Sequence, residues 1–226
     1  MYPLDHPIWH SLTHGWSHLA QGDGGALRID PRYGPFGATA DGSGGQRQKF
    51  AALVPPGDEL WLLGPDALSP PPGLSVARTA MLAQMVAAVL TPATIAPPDW
   101  VVLDEVDHGD MLELALLTQP GPFRSHTARL GRFIGVRDGG RLVAMAGERM
   151  RLPGFTEVSG VCTHPDWRGR GLAGALMRIV AQAILDRGDV PFLHAYAAHE
   201  RTIALYRTLG FEVRADVPMM VVSATA

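Results

Sequence analysis

Residues 158–176 read VSGVCTHPDWRGRGLAGAL, and the order of elements in this stretch decides the fold. An apolar run over 158–162 ends at Thr163, and Pro165 stops it, because proline brings no backbone donor to a sheet. A short loop carries Arg168, Gly169, Arg170 and Gly171. An apolar pattern with helical spacing then begins at Leu172 and recurs at Leu176, Ile179, Val180, Ala183 and Ile184. Strand, glycine–arginine loop and helix therefore follow one another. The first N–H groups of a helix have no partner within it, and they lie at the positive end of its dipole. Glycines let backbone approach a bulky anion, and arginines add paired charge-assisted hydrogen bonds. The stretch reads as a site for a phosphate-bearing ligand.

Working outward, residues 155–163 read as the strand that feeds the loop. Residues 132–137 and 141–147 read as two strands joined at Asp138-Gly139-Gly140, a hairpin signal. Residues 100–105 read as a strand and 107–117 as a helix, followed by the shaped loop 118–123 that ends on Phe123. After the central helix come a strand over 192–196, a helix over 199–209, and a closing hairpin from 211–214 and 217–222. In the first half, Asp5 reads as a helix cap before Pro7, 26–30 and 60–63 as short strands, and 79–90 as a helix. Residues 91–98 are dense in proline and alanine and read as a linker.

The hexamer Arg168-Gly169-Arg170-Gly171-Leu172-Ala173 resembles the Arg/Gln-x-x-Gly-x-Gly/Ala signature of the GCN5-related N-acetyltransferases (GNAT). Residues 205–211, LYRTLGF, resemble that family's later Leu-Tyr-x-x-Leu-Gly-Phe stretch at the family's separation. The likeness is greatest to the FR47-like and glycine N-acyltransferase-like branch, and it covers 98–226. It implies an α/β (α+β) acyl-CoA N-acyltransferase fold, a mixed, mostly antiparallel sheet with helices on both faces. A smaller N-terminal α/β unit over 1–97, in that branch often a degenerate relative of the catalytic half, would precede it.

The resemblance also implies roles. Acetyl-CoA is the expected co-substrate, held by Val161, Cys162, Thr163, Arg168, Gly169, Arg170, Gly171, Leu172 and Ala173. His199 stands where the family often has a cofactor-contacting asparagine. Glu157 would be the general base and Tyr206 the acid that protonates the departing thiolate. His194 is a second candidate base, and Phe123 and His194 are candidates for the acceptor side. Gly160, mid-strand, marks a bulge or a close ligand approach. The implied reaction is direct acetyl transfer to a primary amine, on a small molecule or a peptide. Alternatives are a longer acyl donor or a non-catalytic acyl-CoA-binding module.

Composition narrows the rest. Among 226 residues the formal net charge is −3, which gives no global attraction to nucleic acid or anionic membrane. The single cysteine, Cys162, excludes an intrachain disulfide and fits a reducing compartment. With no leader-like start, a cytoplasmic protein is expected; whether it is a monomer or a homodimer stays open. Cys162 reads as a small buried residue before it reads as a nucleophile. His6, His10, His14 and His18 recur every fourth residue, but no carboxylate or cysteine completes a set, so no metal is expected. Residues 169–174 also fit the dinucleotide fingerprint G-x-G-x-x-G. The acid that motif needs, Asp189, precedes the next strand when it should end it.

Overall fold

The computed structural model describes residues 2–93 and 96–224; part of the expected linker, at 94–95, lies outside them. In chain order the elements are α1 (Pro7–Thr13), β1 (Ala20–Asp23), β2 (Ala26–Ile29), β3 (Gly37–Thr39), α2 (Gly44–Ala51), β4 (Glu59–Leu63), β5 (Leu74–Val86) and β6 (Val101–Leu103). There follow α3 (His108–Thr118), β7 (Phe133–Asp138), β8 (Arg141–Leu152), β9 (Phe155–Thr163), α4 (Leu172–Asp186), β10 (Val190–Tyr196), α5 (Glu200–Thr208) and β11 (Glu212–Ala224). Eight strands form the main sheet in the order β4-β11-β5-β10-β9-β8-β7-β6, and β1-β2-β3 make a small separate sheet. Among the described strands of this sheet, β9 and β10 are the one pair that runs parallel, joined by the crossover helix α4; the other neighbours pair antiparallel. The expected mixed, mostly antiparallel sheet with helices on both faces is the one observed.

Alternation along the strands sorts the core into layers. Ala83, Met85, Ala144, Ala146, Leu193 and Ala195 pack with Leu176, Met177, Val180 and Ile184 of α4. The intervening residues face the other way. Met150, Phe192, Val217 and Met219 meet Ile8 and Leu12 of α1 and Trp16, while Met145 and Cys162 meet Met111 and Leu114 of α3.

Two expected elements are corrected. Residues 79–90 do not form a helix; 74–86 are strand β5, in the middle of the sheet between β11 and β10. Residues 82–85 of β5 are buried on both faces, where alternation is lost and the stretch reads as one continuous run. The Ala, Leu and Met content of this run then mimics a helix, and tertiary pairing overrides propensity. Residues 211–222 do not turn back as a hairpin either. Strand β11 continues to Ala224 and takes up its irregularity as a register shift between Val213 and Ala215. The Arg214 side chain turns inward there, onto Gln84 at 2.8 Å and onto Asp5. The N-cap of α1 is His6, and Asp5 lies in the 3-10 turn before it.

β4 and β5, from before the proline-rich joint, thus share one sheet with the strands that follow it. A second tie runs between the two halves. Asp58, after α2, accepts from Arg28 of β2 and from Arg124 of the α3–β7 loop, each at 2.8 Å. Burial works against ionising Asp58, but the two guanidinium groups outweigh it and hold its carboxyl below the ordinary range. Arg124 also donates to the Pro31 carbonyl, and the Thr127 hydroxyl to that of Tyr33.

Candidate active site

β9 and β10 pair only from Phe155↔Val190 to Glu157↔Phe192. Beyond that point both strands continue without pairing, and a cleft opens beside the last residues of β9. On the other side of β9, the pairing with β8 slips between Met145↔Cys162 and Gly147↔Ser159. The extra residue is a bulge at Gly160, whose φ is 62°. Here glycine is required twice over: the dihedral is left-handed, and an added Cβ would sit 2.7 Å from the Phe133 ring. Phe123 stacks edge-on against that same ring, with centroids 5.9 Å apart. The bulge explains why Val158 and Val161, three residues apart, both pack against the α4 core.

The cleft has a volume of about 540 Å³ and is lined by β9, the glycine–arginine loop, the start of α4, and α5. Of the residues expected at the co-substrate, Val161, Cys162, Thr163, Arg168, Gly169, Gly171, Leu172 and Ala173 line it together. Tyr206, expected as the acid, lines it as well. Arg170 lies on the same loop with its guanidinium over Trp167, and His199 stands exposed before α5, outside the lining. Thr118, Trp167, Gly174, Thr202 and Leu205 complete the wall; of these, Thr118 and Thr202 lie outside the motifs of the sequence.

The open end of the cleft is built for an anion. Gly171 is the N-cap of α4 with φ 74°, and no side chain caps the helix. The first-turn N–H groups therefore point out of the helix unclaimed by a cap. Arg168 and Arg170 are exposed, and their protein contacts are long ones, 3.4 Å to carbonyl oxygens of Thr163 and Asp166. Thr163 Oγ1 is buried at the edge of the cleft and has no partner among the described residues. An acyl-CoA fits this donor set, with a diphosphate at the helix start and an extended polar arm along β9. The Tyr206 hydroxyl has no protein hydrogen bond among the described residues, and burial pushes its pKa above the ordinary value of 10.

The buried cluster near the start of β9 is different. Glu157 is 1% exposed and lines no part of the cleft. Its Oε2 accepts from Arg149 Nε at 2.8 Å; its Oε1 accepts from Arg149 Nη2 at 3.0 Å and from His194 Nδ1 at 2.9 Å. Burial alone would raise its pKa, but the Arg149 charge and the hydrogen bonds from His194 and Arg149 bring it down to about 2. Cys162 is buried against α3, and desolvation pushes its thiol up to about 11 in spite of a hydrogen bond with Thr118. His164 Nδ1 accepts from the Asp166 N–H, so His164 caps the turn that follows it. The four N-terminal histidines do not form one row: α1 ends at Thr13, His10 and His14 lie with ring centroids 6.3 Å apart, and His18 falls in a separate 3-10 turn. His6 is instead buried against Asp66 at 2.6 Å. No group of three metal-ligating side chains occurs among the described residues.

The protein-family comparison matches residues 133–219 to the FR47-like protein model, a span from β7 into β11. A GNAT-family protein of Novosphingobium aromaticivorans of known crystal structure is 46% identical, with complete coverage of both chains and a TM-score of 0.93. The chain belongs to the GNAT family. Across 85 residues it is also 38% identical to N-alpha-acetyltransferase RimI of Mycobacterium tuberculosis, which is 35% of this chain and about half (51%) of that relative's length. A GCN5-related N-acetyltransferase from Kribbella flavida has the same fold at 19% identity, with a TM-score of 0.64 over 97% of this chain and 94% of that one. GNAT proteins are acyltransferases that use acetyl-CoA as co-substrate, and the FR47-like match falls on the strands and helices that build the cleft. No helix among the described residues is long and apolar enough to cross a membrane.

Proposed function

We propose that the chain transfers the acetyl group of acetyl-CoA to a primary amine in a single step, with both substrates bound together. The observation that carries this reading is the uncapped start of α4 opening into the same cleft as the unpartnered Tyr206 hydroxyl. Arg168, Arg170 and the N–H groups of 169–173 take the diphosphate. The main chain of Val161, Cys162 and Thr163 borders the pantetheine arm, which runs into the gap between β9 and β10. The amine nitrogen attacks the thioester carbonyl, the C–N bond forms, and the C–S bond breaks. Tyr206 then protonates the sulfur. Its raised pKa keeps the donor form populated through neutral and moderately alkaline pH.

A cysteine relay is disfavoured on the same physical grounds. The Cys162 thiol, with a pKa of about 11, is protonated near neutrality, and the thiolate is the nucleophile. The acceptor side is assigned to Phe123 and to residues 1–97, because Asp58 and the Pro31 and Tyr33 carbonyls tie down the loop that carries Phe123. The α-amine of a peptide is the first acceptor to try, since the curated relative is an N-alpha-acetyltransferase.

The test is release of free thiol from acetyl-CoA, and from longer acyl-CoAs, across a panel of peptide α-amines, lysine-type amines and small amines. Amine-dependent release supports the reading. If acetyl-CoA raises the melting temperature while no amine releases thiol, the chain is a binding module. A rise with NAD and none with acetyl-CoA overturns the reading altogether.

A further inference from the structure

The buried cluster around Glu157, outside the cleft lining, carries an inference that rests on amine acetylation and concerns where the amine's proton goes. We propose that Glu157 is a fixed anionic anchor and not the proton acceptor, that Arg149 is the positioning residue holding it, and that the acceptor amine binds already neutral. The resemblance implies the opposite role for Glu157; the geometry around its carboxylate speaks against that role.

Both carboxylate oxygens are engaged. Arg149 grips them through Nε and Nη2, and His194 adds a third donor to Oε1. Arg149 is itself held, with its guanidinium 4.8 Å from the Phe36 ring and its carbonyl accepting from Trp16 Nε1 at 3.1 Å. It reaches Glu157 because β8 slips register between Glu148 and Arg151, opposite Glu157. The far side of His194 is closed too. Its Nε2 lies 3.2 Å from the amide nitrogen of Gln84, which also donates to the Leu4 carbonyl at 2.9 Å. Gln84 Oε1 accepts from Arg214, so the amide cannot be turned over without losing bonds at both ends. His194 Nε2 is therefore an acceptor and Nδ1 carries the proton that is donated to Glu157, a tautomer assigned from the hydrogen-bond network.

The charged and titratable groups around the carboxylate are thus Arg149 from β8, His194 from β10, Arg214 from β11 and, through Arg214, Asp5. The chain of bonds runs from Glu157 toward the N-terminal segment and away from the open end of the cleft. Three donors fill three of the carboxylate's four lone-pair sites, and the remaining one, on Oε2, is buried and does not line the cleft, so an incoming ammonium does not reach it. The balance closes without a base. A neutral amine attacks, the new amide nitrogen loses its extra proton to solvent, Tyr206 gives one proton to the thiolate, and its phenolate recovers one from water.

Two measurements on the full-length wild-type chain decide this. The first is the pH profile of kcat/KM for the acceptor, at saturating acetyl-CoA, with two peptides, one presenting only an α-amine and one presenting only a lysine ε-amine. Their amines have pKa values of about 8 and about 10.4. The acidic limb is expected to move with the amine; a limb at the same lower pH for both peptides overturns the proposal. The second needs no turnover. The carboxyl carbon of Glu157, labelled with 13C and assigned against Glu157→Gln, is expected to keep its carboxylate shift from pH 8 to pH 4. Titration inside that range overturns the anchor. If neither peptide releases thiol, the acetylation reading fails while the carbon shift still judges Glu157. Among variants, Glu157→Gln and Arg149→Met are each expected to lower kcat by about tenfold, evenly across pH. The double variant is expected to be no worse than either one. A Glu157→Gln loss that is recovered at high pH contradicts the proposal, because that is the signature of a missing base.

Discussion

The loop at 168–173 and the cluster around Glu157 lie toward opposite ends of β9 and handle charge in opposite ways. At the loop, two arginines are exposed with only long protein contacts, and α4 begins without a side-chain cap. At the cluster, the buried Glu157 carboxylate meets the Arg149 guanidinium within 3.0 Å and takes a further hydrogen bond from the buried His194 ring. A region that keeps its donors unengaged is prepared for a ligand. One that engages them all internally is prepared to hold shape. Residue type alone does not separate the two, since both are built from arginines beside a strand. The separation comes from burial and from how many donors the protein itself consumes.

That contrast can be broken or sharpened, beginning with the largest effect. Arg149→Met leaves a buried carboxylate without its counter-charge and is expected to lower the unfolding free energy by about 3–5 kcal/mol, read by urea denaturation. The sign with pH is fixed. The Glu157 pKa is depressed on folding, from 4.5 to about 2. Its stabilisation is fully present above 4.5 and is lost as pH falls through about 2. Wild-type stability should therefore decline across that window, and Glu157→Gln should remove this part of the decline.

At the open end, Tyr206→Phe is expected to lower kcat by about ten- to a hundredfold with little change in acetyl-CoA affinity. The wild-type rate should hold through pH 9, because the donor's pKa lies above 10. An equal loss in kcat and in acetyl-CoA binding would make Tyr206 a packing residue. Asp58→Asn tests the tie between the halves. It is expected to cost about 1–3 kcal/mol of stability and to raise the acceptor KM while leaving the acetyl-CoA KM unchanged. The smallest effect belongs to Cys162→Ala. Its activity should stay near wild type, and mass spectrometry of wild-type protein mixed with acetyl-CoA alone should show no acetyl group on Cys162.

Local signals in the chain made much of this legible. The strand–loop–helix order at 155–186, the hairpin at Asp138-Gly139-Gly140 and the helix over 108–118 depend on neighbouring residues, and the structure has them. The cleft residues Val161, Cys162 and Thr163 and most of the loop are contiguous, so one motif marks them all. β5 was illegible for a physical reason: its residues 82–85 are buried on both faces and carry no alternation. β11 was illegible because a bulge and a turn look alike without a partner strand. The cluster around Glu157 draws Arg149, Glu157, His194, Gln84 and Arg214 from five strands. Its assembly depends on register slips in β8 and β11, and no periodicity reports these. The glutamate was therefore readable as a residue of interest, while its partners, and hence its state, were not.

The central claim is that the open loop, and not the closed cluster, receives the co-substrate. Isothermal titration of acetyl-CoA into the full-length chain, beside Gly171→Val and Glu157→Gln, tests it most directly. A Cβ at Gly171 meets open space, so valine there is opposed by the left-handed dihedral and not by a clash. The account predicts one site per wild-type chain, an affinity at least about a hundredfold weaker in Gly171→Val, and near-wild-type binding in Glu157→Gln. Unchanged binding in Gly171→Val, or its loss in Glu157→Gln while that variant stays folded, would contradict it.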